Sequence, residues 1–221
     1  MVALSSKAQY KNYFLSPKLS MVFGSALISL GPFFVEYSDL SAATNSFYRM
    51  VIGAICFLLI AFFKGEKKAP SLVWQLCSLT GLLLAIDLIV WNQSVLWIGP
   101  GLSTVLANIE IVFLVAIGSI FYGEKLPKNY PLLGLGLAAS ILSLIYPYLG
   151  ELHPSNVKGI LFALGASFSY SLYLLVLKII GNKSPETSSV TTLALTCLLG
   201  ATLFGIGLFF LDRSSLIISS W

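Results

Sequence analysis

Charge is scarce in this chain. Asp, Glu, Lys and Arg make up 10% of its 221 residues, against about one-quarter in an ordinary soluble domain. A soluble fold of this size would lack the polar groups to cover its surface. Histidine and cysteine are scarcer still: His153 stands alone beside Pro154, and Cys56, Cys77 and Cys197 share no motif spacing. That excludes a zinc site, and no cofactor is expected. No basic patch with interleaved aromatics occurs, so nucleic acid is excluded as a partner. Residues 1–17 lack the apolar core of a cleavable signal peptide and read as a cytoplasmic N-terminal segment.

What the chain has instead is apolar length. Hydrophobic residues make up 57% of it, in runs separated by short polar corners. Seven runs are long enough to cross about 30 Å of hydrocarbon as helices: Lys18 to Val35, Ser41 to Phe63, Leu72 to Ile98, Leu102 to Tyr122, Tyr130 to Leu149, Val157 to Ile180, and Thr187 to Leu211. Lone strands would leave backbone groups unpaired in lipid. The expected fold is therefore all-α, a multi-pass transmembrane bundle of seven helices. Ten basic residues fall on the side of Lys7, Lys64 and Lys183, and only Lys158 and Arg213 on the other. By the positive-inside rule the N-terminus is cytoplasmic and the bundle sits in the cytoplasmic membrane.

Three ionisable residues lie inside the runs: Arg49 in the second, Asp87 in the third and Glu110 in the fourth. Counted from their segment midpoints at about 1.5 Å per residue, all three fall within a few Å of one depth. Each alone would cost about 2.5–3.5 kcal/mol in lipid, and one cation gathered with two anions offsets most of that cost. The surplus acid is able to carry a proton in a low-dielectric site. Two readings stand: an ion-pair staple that fixes three helices, or a substrate or proton pathway.

Polar neighbours fit a cavity. Asp87 and Trp91 are four apart on one helix face, with Ser94 a turn further; Trp91 either stacks on a planar or cationic solute or packs between helices. Ser167, Tyr170, Ser171 and Tyr173 give the sixth run a polar face that could close the cavity opposite Glu110. Asn108, two residues from Glu110, reads as interhelical glue. Small-xxx-small pairs, Gly134 with Ala138 and Gly136 with Ser140, mark the fifth run for helix packing or for contact in a homo-oligomer. Gly31-Pro32 is expected to break or kink the first run.

The run GPGLSTVLANIEIVFLVAIGSIFYGEKLPKNYPLLGLGLAAS, Gly99 to Ser140, and Ser46-Phe47-Tyr48-Arg49 with Ala54 carry a resemblance. They resemble EamA-type transporters of the drug/metabolite transporter superfamily: a small-residue turn, a fourth helix, a Gly-Glu-Lys-Leu corner, a glycine-rich fifth helix and an arginine on the second. The resemblance implies ten helices in two inverted five-helix repeats. Residues 18–149 would form the first repeat and residues 157–221 part of the second. Lys18 to Ser29 (KLSMVFGSALIS) faintly echoes Lys158 to Ser169 (KGILFALGASFS), as inverted repeats would. The chain departs from the family in carrying Glu110 where a mid-helix proline is frequent, and in supplying seven helices, as a truncated form would. The resemblance implies transport of a small organic solute, by export or facilitated exchange across the bilayer, and no enzyme activity. The rival is a non-transporting remnant or assembly partner. A retinal protein is excluded because the seventh run has no mid-helix lysine.

Overall fold

A computed structural model describes residues 17–38, 40–66, 68–123, 129–146 and 154–211. These residues form eight helices and no strand: α1 (Pro17–Ser29), α2 (Gly31–Tyr37), α3 (Ala42–Phe63), α4 (Ser71–Ala107), α5 (Glu110–Tyr122), α6 (Tyr130–Ile145), α7 (Pro154–Lys183) and α8 (Ser189–Leu211). The expected spans and these helices differ in number because the first and fourth runs are each broken, while α4 joins the third run to the start of the fourth. The first run splits at Leu30, where Pro32 sits in the first turn of α2. A proline there has no N–H for the i−4 carbonyl, and its ring displaces that carbonyl, so α1 cannot run on. Ser41 starts α3 by accepting the Thr44 N–H at 3.1 Å, and Ser188 starts α8 in the same way with Thr191 at 3.2 Å. Both are N-caps of the preferred kind.

The fourth helix hides a reversal. Its backbone leaves helical geometry at Gly99, with φ 78° and ψ 161°, a conformation glycine adopts without steric cost. The register against α7 gives the direction of each limb. Ser94 donates to the Gly159 carbonyl at 2.9 Å, and Ser169 donates to the Leu83 carbonyl at 2.8 Å. Rising along 71–98 therefore means descending along α7. Beyond Gly99 the order flips: Ser167 reaches the Leu106 carbonyl and Ser171 the Glu110 carbonyl, each at 2.9 Å. The chain thus turns back at Gly99-Pro100. Four helical stretches meet the length and hydropathy of a membrane span, Ala42–Phe63, Ser71–Phe121, Pro154–Lys183 and Ser189–Gly207. The 51-residue second stretch contains this reversal. Met21–Tyr37 and Tyr130–Ser143 are shorter apolar helices.

Packing centres on the first limb of α4, which α7, α8 and α3 surround. Val73, Cys77, Val176, Ile180 and Leu195 form one buried cluster, and Met50, Ala85, Leu88 and Ala201 another. Between them α4 and α8 cross with their backbones in contact. A Cβ on Gly81 would lie 2.6 Å from the Gly200 nitrogen, and one on Gly200 would fall on the Gly81 carbonyl and the Met50 methyl. Beside this crossing the Thr80 and Thr196 hydroxyls bond at 2.8 Å. Lipid offers no hydrophobic drive for helix association, so close backbone approach and interhelical hydrogen bonds carry it.

Candidate functional site

The intramembrane charges come from three helices whose mutual register follows from the packing. On α3, Ser46 accepts a 2.7 Å bond from the Asn92 amide. This fixes the α3 turn carrying Arg49 against the α4 turn carrying Trp91. The Arg49 guanidinium then lies over the Trp91 ring, 5.2 Å from its centroid, within cation–π distance. Gly31 of α2 lies beside it: a Cβ there would meet the Arg49 Nη2 in ordinary contact at 3.8 Å. One helical turn before Trp91, Asp87 is within electrostatic reach of both Arg49 and Glu110.

Glu110 owes its position to a second break. The chain leaves α-helix at Asn108 and Ile109, where Ile109, Ile111 and Val112 donate to carbonyls three residues back at 3.1, 3.3 and 2.8 Å. This 3₁₀ stretch makes Glu110 the first residue of α5. A carboxylate in a first turn faces the positive end of the helix dipole. The Ser167 and Ser171 bonds straddle the break and clamp both of its sides to α7. Tyr170 projects from the same stretch of α7, within reach of the charges on Glu110 and Asp87. Its ring centroid lies 5.3 Å from that of Tyr173. Arg49 is exposed; Asp87, Trp91, Glu110 and Tyr170 are half-buried. The stack and the electrostatic reach among Asp87, Glu110 and Tyr170 bring the five residues into one region. It holds a planar cation on an indole, two carboxyl groups and a phenol.

Other expectations place differently. Ser94 is fully buried, and its hydroxyl is used on the Gly159 carbonyl rather than on a cavity. Ser167 and Ser171 likewise give their hydroxyls to carbonyls of α4 and α5. In an apolar interior a hydroxyl finds a carbonyl before it finds water; Tyr173 is buried beside Tyr170, and Tyr170 is the half-buried member of that face nearest the charges. Asn108 is exposed and donates to the Thr104 carbonyl of its own helix at 2.9 Å. The interhelical amide is Asn92, 0% exposed. Its signal in the sequence was a carboxamide within an apolar run, as Asn108 also is. Gly134 is half-buried, while Gly136, Ala138 and Ser140 are exposed on α6, and a Cβ on either glycine would meet nothing within 4 Å. Among the described residues the close glycine crossing is Gly81 with Gly200. No group of three or more metal-ligating side chains occurs among the described residues.

Long apolar helices, a reversal inside the apolar layer and a polar site between helices define a multi-pass helical membrane protein. A family model, the EamA-like transporter family, matches residues 16–146, more than half of the chain. The chain belongs to that family and is a membrane transporter of the drug/metabolite type. Among solved structures, one crystal structure of a protein aligns with a TM-score of 0.60 at 17% identity. It covers 90% of this chain and 70% of that one, a likeness of fold. Among curated proteins nothing matches.

Proposed function

We propose that this transporter moves a small amino-acid-like metabolite across the cytoplasmic membrane by alternating access, as an exporter or facilitated exchanger, with its N-terminus in the cytoplasm. The observation that carries the reading is the stack of Arg49 on Trp91 beside two acids from neighbouring helices. A cation–π stack orients a guanidinium face-on and leaves its edge donors for a carboxylate. Asp87 and Glu110 are placed to take the ammonium of the same solute, or a proton when no solute is bound. Tyr170 adds a phenol on the α7 side. In this reading residues 18–149 form one five-helix repeat and residues 157–221 belong to an inverted second one, so the solute sits at the boundary between repeats.

The test is radiolabelled solute exchange in proteoliposomes, screened over amino acids and their analogues, with the parent and Glu110→Gln. Glu110→Gln should lose at least about tenfold in exchange rate, roughly 1.4 kcal/mol of lost interaction, while its thermal stability in detergent is kept. Unchanged exchange with lowered stability would instead mark the three charges as a staple of the fold.

A further inference from the structure

On the side of the bundle formed by α3 and α8 lies a groove with no role in the reading above. Its upper part, about 520 Å³, is lined by Val51, Ala54 and Leu58 of α3 and by Leu198, Ala201 and Gly205 of α8. Its lower part, about 550 Å³, shares Ile55 and Leu58 with the upper and continues past Leu59 and Phe62 to Glu66. There it meets a third recess of about 450 Å³, between the α3–α4 and α7–α8 corners, lined by Glu66, Lys68, Glu186, Thr187 and Ser188. Shared residues join the three into one channel, apolar along its length and charged at its end.

The dimensions match a single lipid leaflet. From Ile55 to Phe63, the last residue of α3, is eight residues of rise, about 12 Å; Glu66 follows in the turn beyond, and half of the hydrocarbon core is about 15 Å. An acyl chain laid along the lower groove thus ends near the bilayer middle, where the upper groove receives its tip. The charged recess lies past the end of the apolar stretch Ala42–Phe63, where a headgroup would sit. Glu66 and Glu186 offer two carboxylates, Lys68 one ammonium. The Thr187 Oγ1 is buried and has no hydrogen-bond partner among the described residues. A lone buried hydroxyl in a recess of mixed charge is a group waiting for an acceptor.

We propose that this channel is a binding site for a zwitterionic phospholipid with a primary ammonium headgroup, of the phosphatidylethanolamine type. The ammonium sits between Glu66 and Glu186, the phosphate takes Lys68 and the Thr187 hydroxyl, and one acyl chain fills the groove. A primary ammonium donates three hydrogen bonds, as lysine does; a trimethylated choline ammonium donates none. An anionic glycerol headgroup brings no cation for the two glutamates. The site lies along the α3–α8 contact, so an occupied groove steadies the helix that carries Arg49.

The experiment is native mass spectrometry of the full chain, purified in mild detergent. The protein is exposed to an equimolar mixture of phosphatidylethanolamine, phosphatidylcholine and phosphatidylglycerol with identical acyl chains. One retained lipid is expected, with phosphatidylethanolamine enriched roughly fivefold over phosphatidylcholine, the size two surface ion pairs give. Glu66→Gln with Glu186→Gln should bring the two lipids to parity, and both positions lie in corners where substitution leaves folding intact. Leu58→Trp, which fills the groove, should remove the retained lipid whatever its headgroup. Adducts that follow the mixture, a preference for phosphatidylglycerol, or an ethanolamine preference that survives the glutamine pair would each overturn the proposal. Should Leu58→Trp fail to fold, the glutamine pair decides alone.

Discussion

Asn92 and Arg49 show how one buried amide sets up a charged site. The Asn92 amide donates to the Ser46 hydroxyl at 2.7 Å and to the Ala42 carbonyl at 3.4 Å, and the residue just before it on α4 is Trp91. Asn92→Ala removes the donor and leaves Ser46 without it, at a cost of about 1 kcal/mol. Reversible unfolding in mixed micelles should read that loss, together with weaker solute affinity as the Arg49–Trp91 stack loosens. Arg49→Lys keeps the charge and discards the planar face. A lysine stacks and forks less well, so apparent affinity for a carboxylate solute should fall about threefold to thirtyfold, read as a raised half-saturation concentration with stability unchanged.

At the scale of helices, the α4–α8 crossing and the break before α5 invite opposite substitutions. Gly200→Ala forces a methyl into the Gly81 backbone, and overpacking of this kind costs about 1–3 kcal/mol. Gly136→Ala, with open space around it, should change stability by less than about 0.5 kcal/mol. Thermal melts of the two variants side by side check the contrast. Glu110→Pro separates shape from charge. The first position of a helix tolerates proline because its N–H has no helical partner, so the break persists and the carboxylate goes. The variant should fold with helix content like that of the parent, read by circular dichroism, and lose solute exchange. Much of this architecture was legible in the chain itself. Apolar runs mark the spans, Gly99-Pro100 marks the turn between two of them, and Gly31-Pro32 marks the break in the first. Other parts were hidden for a physical reason. Thr80 with Thr196, Gly81 with Gly200 and Ser169 with Leu83 lie 86 to 119 residues apart in sequence, and local periodicity carries no information about which faces meet. The small-residue stripe of α6 was as visible as the Gly81 site, but the spacing of small residues does not say which helix arrives.

For the molecule as a whole, the account joins three levels. Scarce charge puts the chain in a bilayer; the reversal at Gly99 folds two spans against α7; and that folding carries Asp87 and Glu110 toward Arg49. Counting residues suggested that Arg49, Asp87 and Glu110 meet, whereas the Arg49–Trp91 stack needed the Asn92–Ser46 register, which no count supplies. The most direct measurement is solute exchange by the double variant Arg49→Gln with Asp87→Asn. Arg49 and Asp87 lie within electrostatic reach of each other, and removing both leaves neither charge without its counterpart, so the unfolding midpoint should lie near that of the parent. The account predicts a folded protein with exchange reduced to the level of empty liposomes. Exchange at the parental rate by the folded double variant would contradict it.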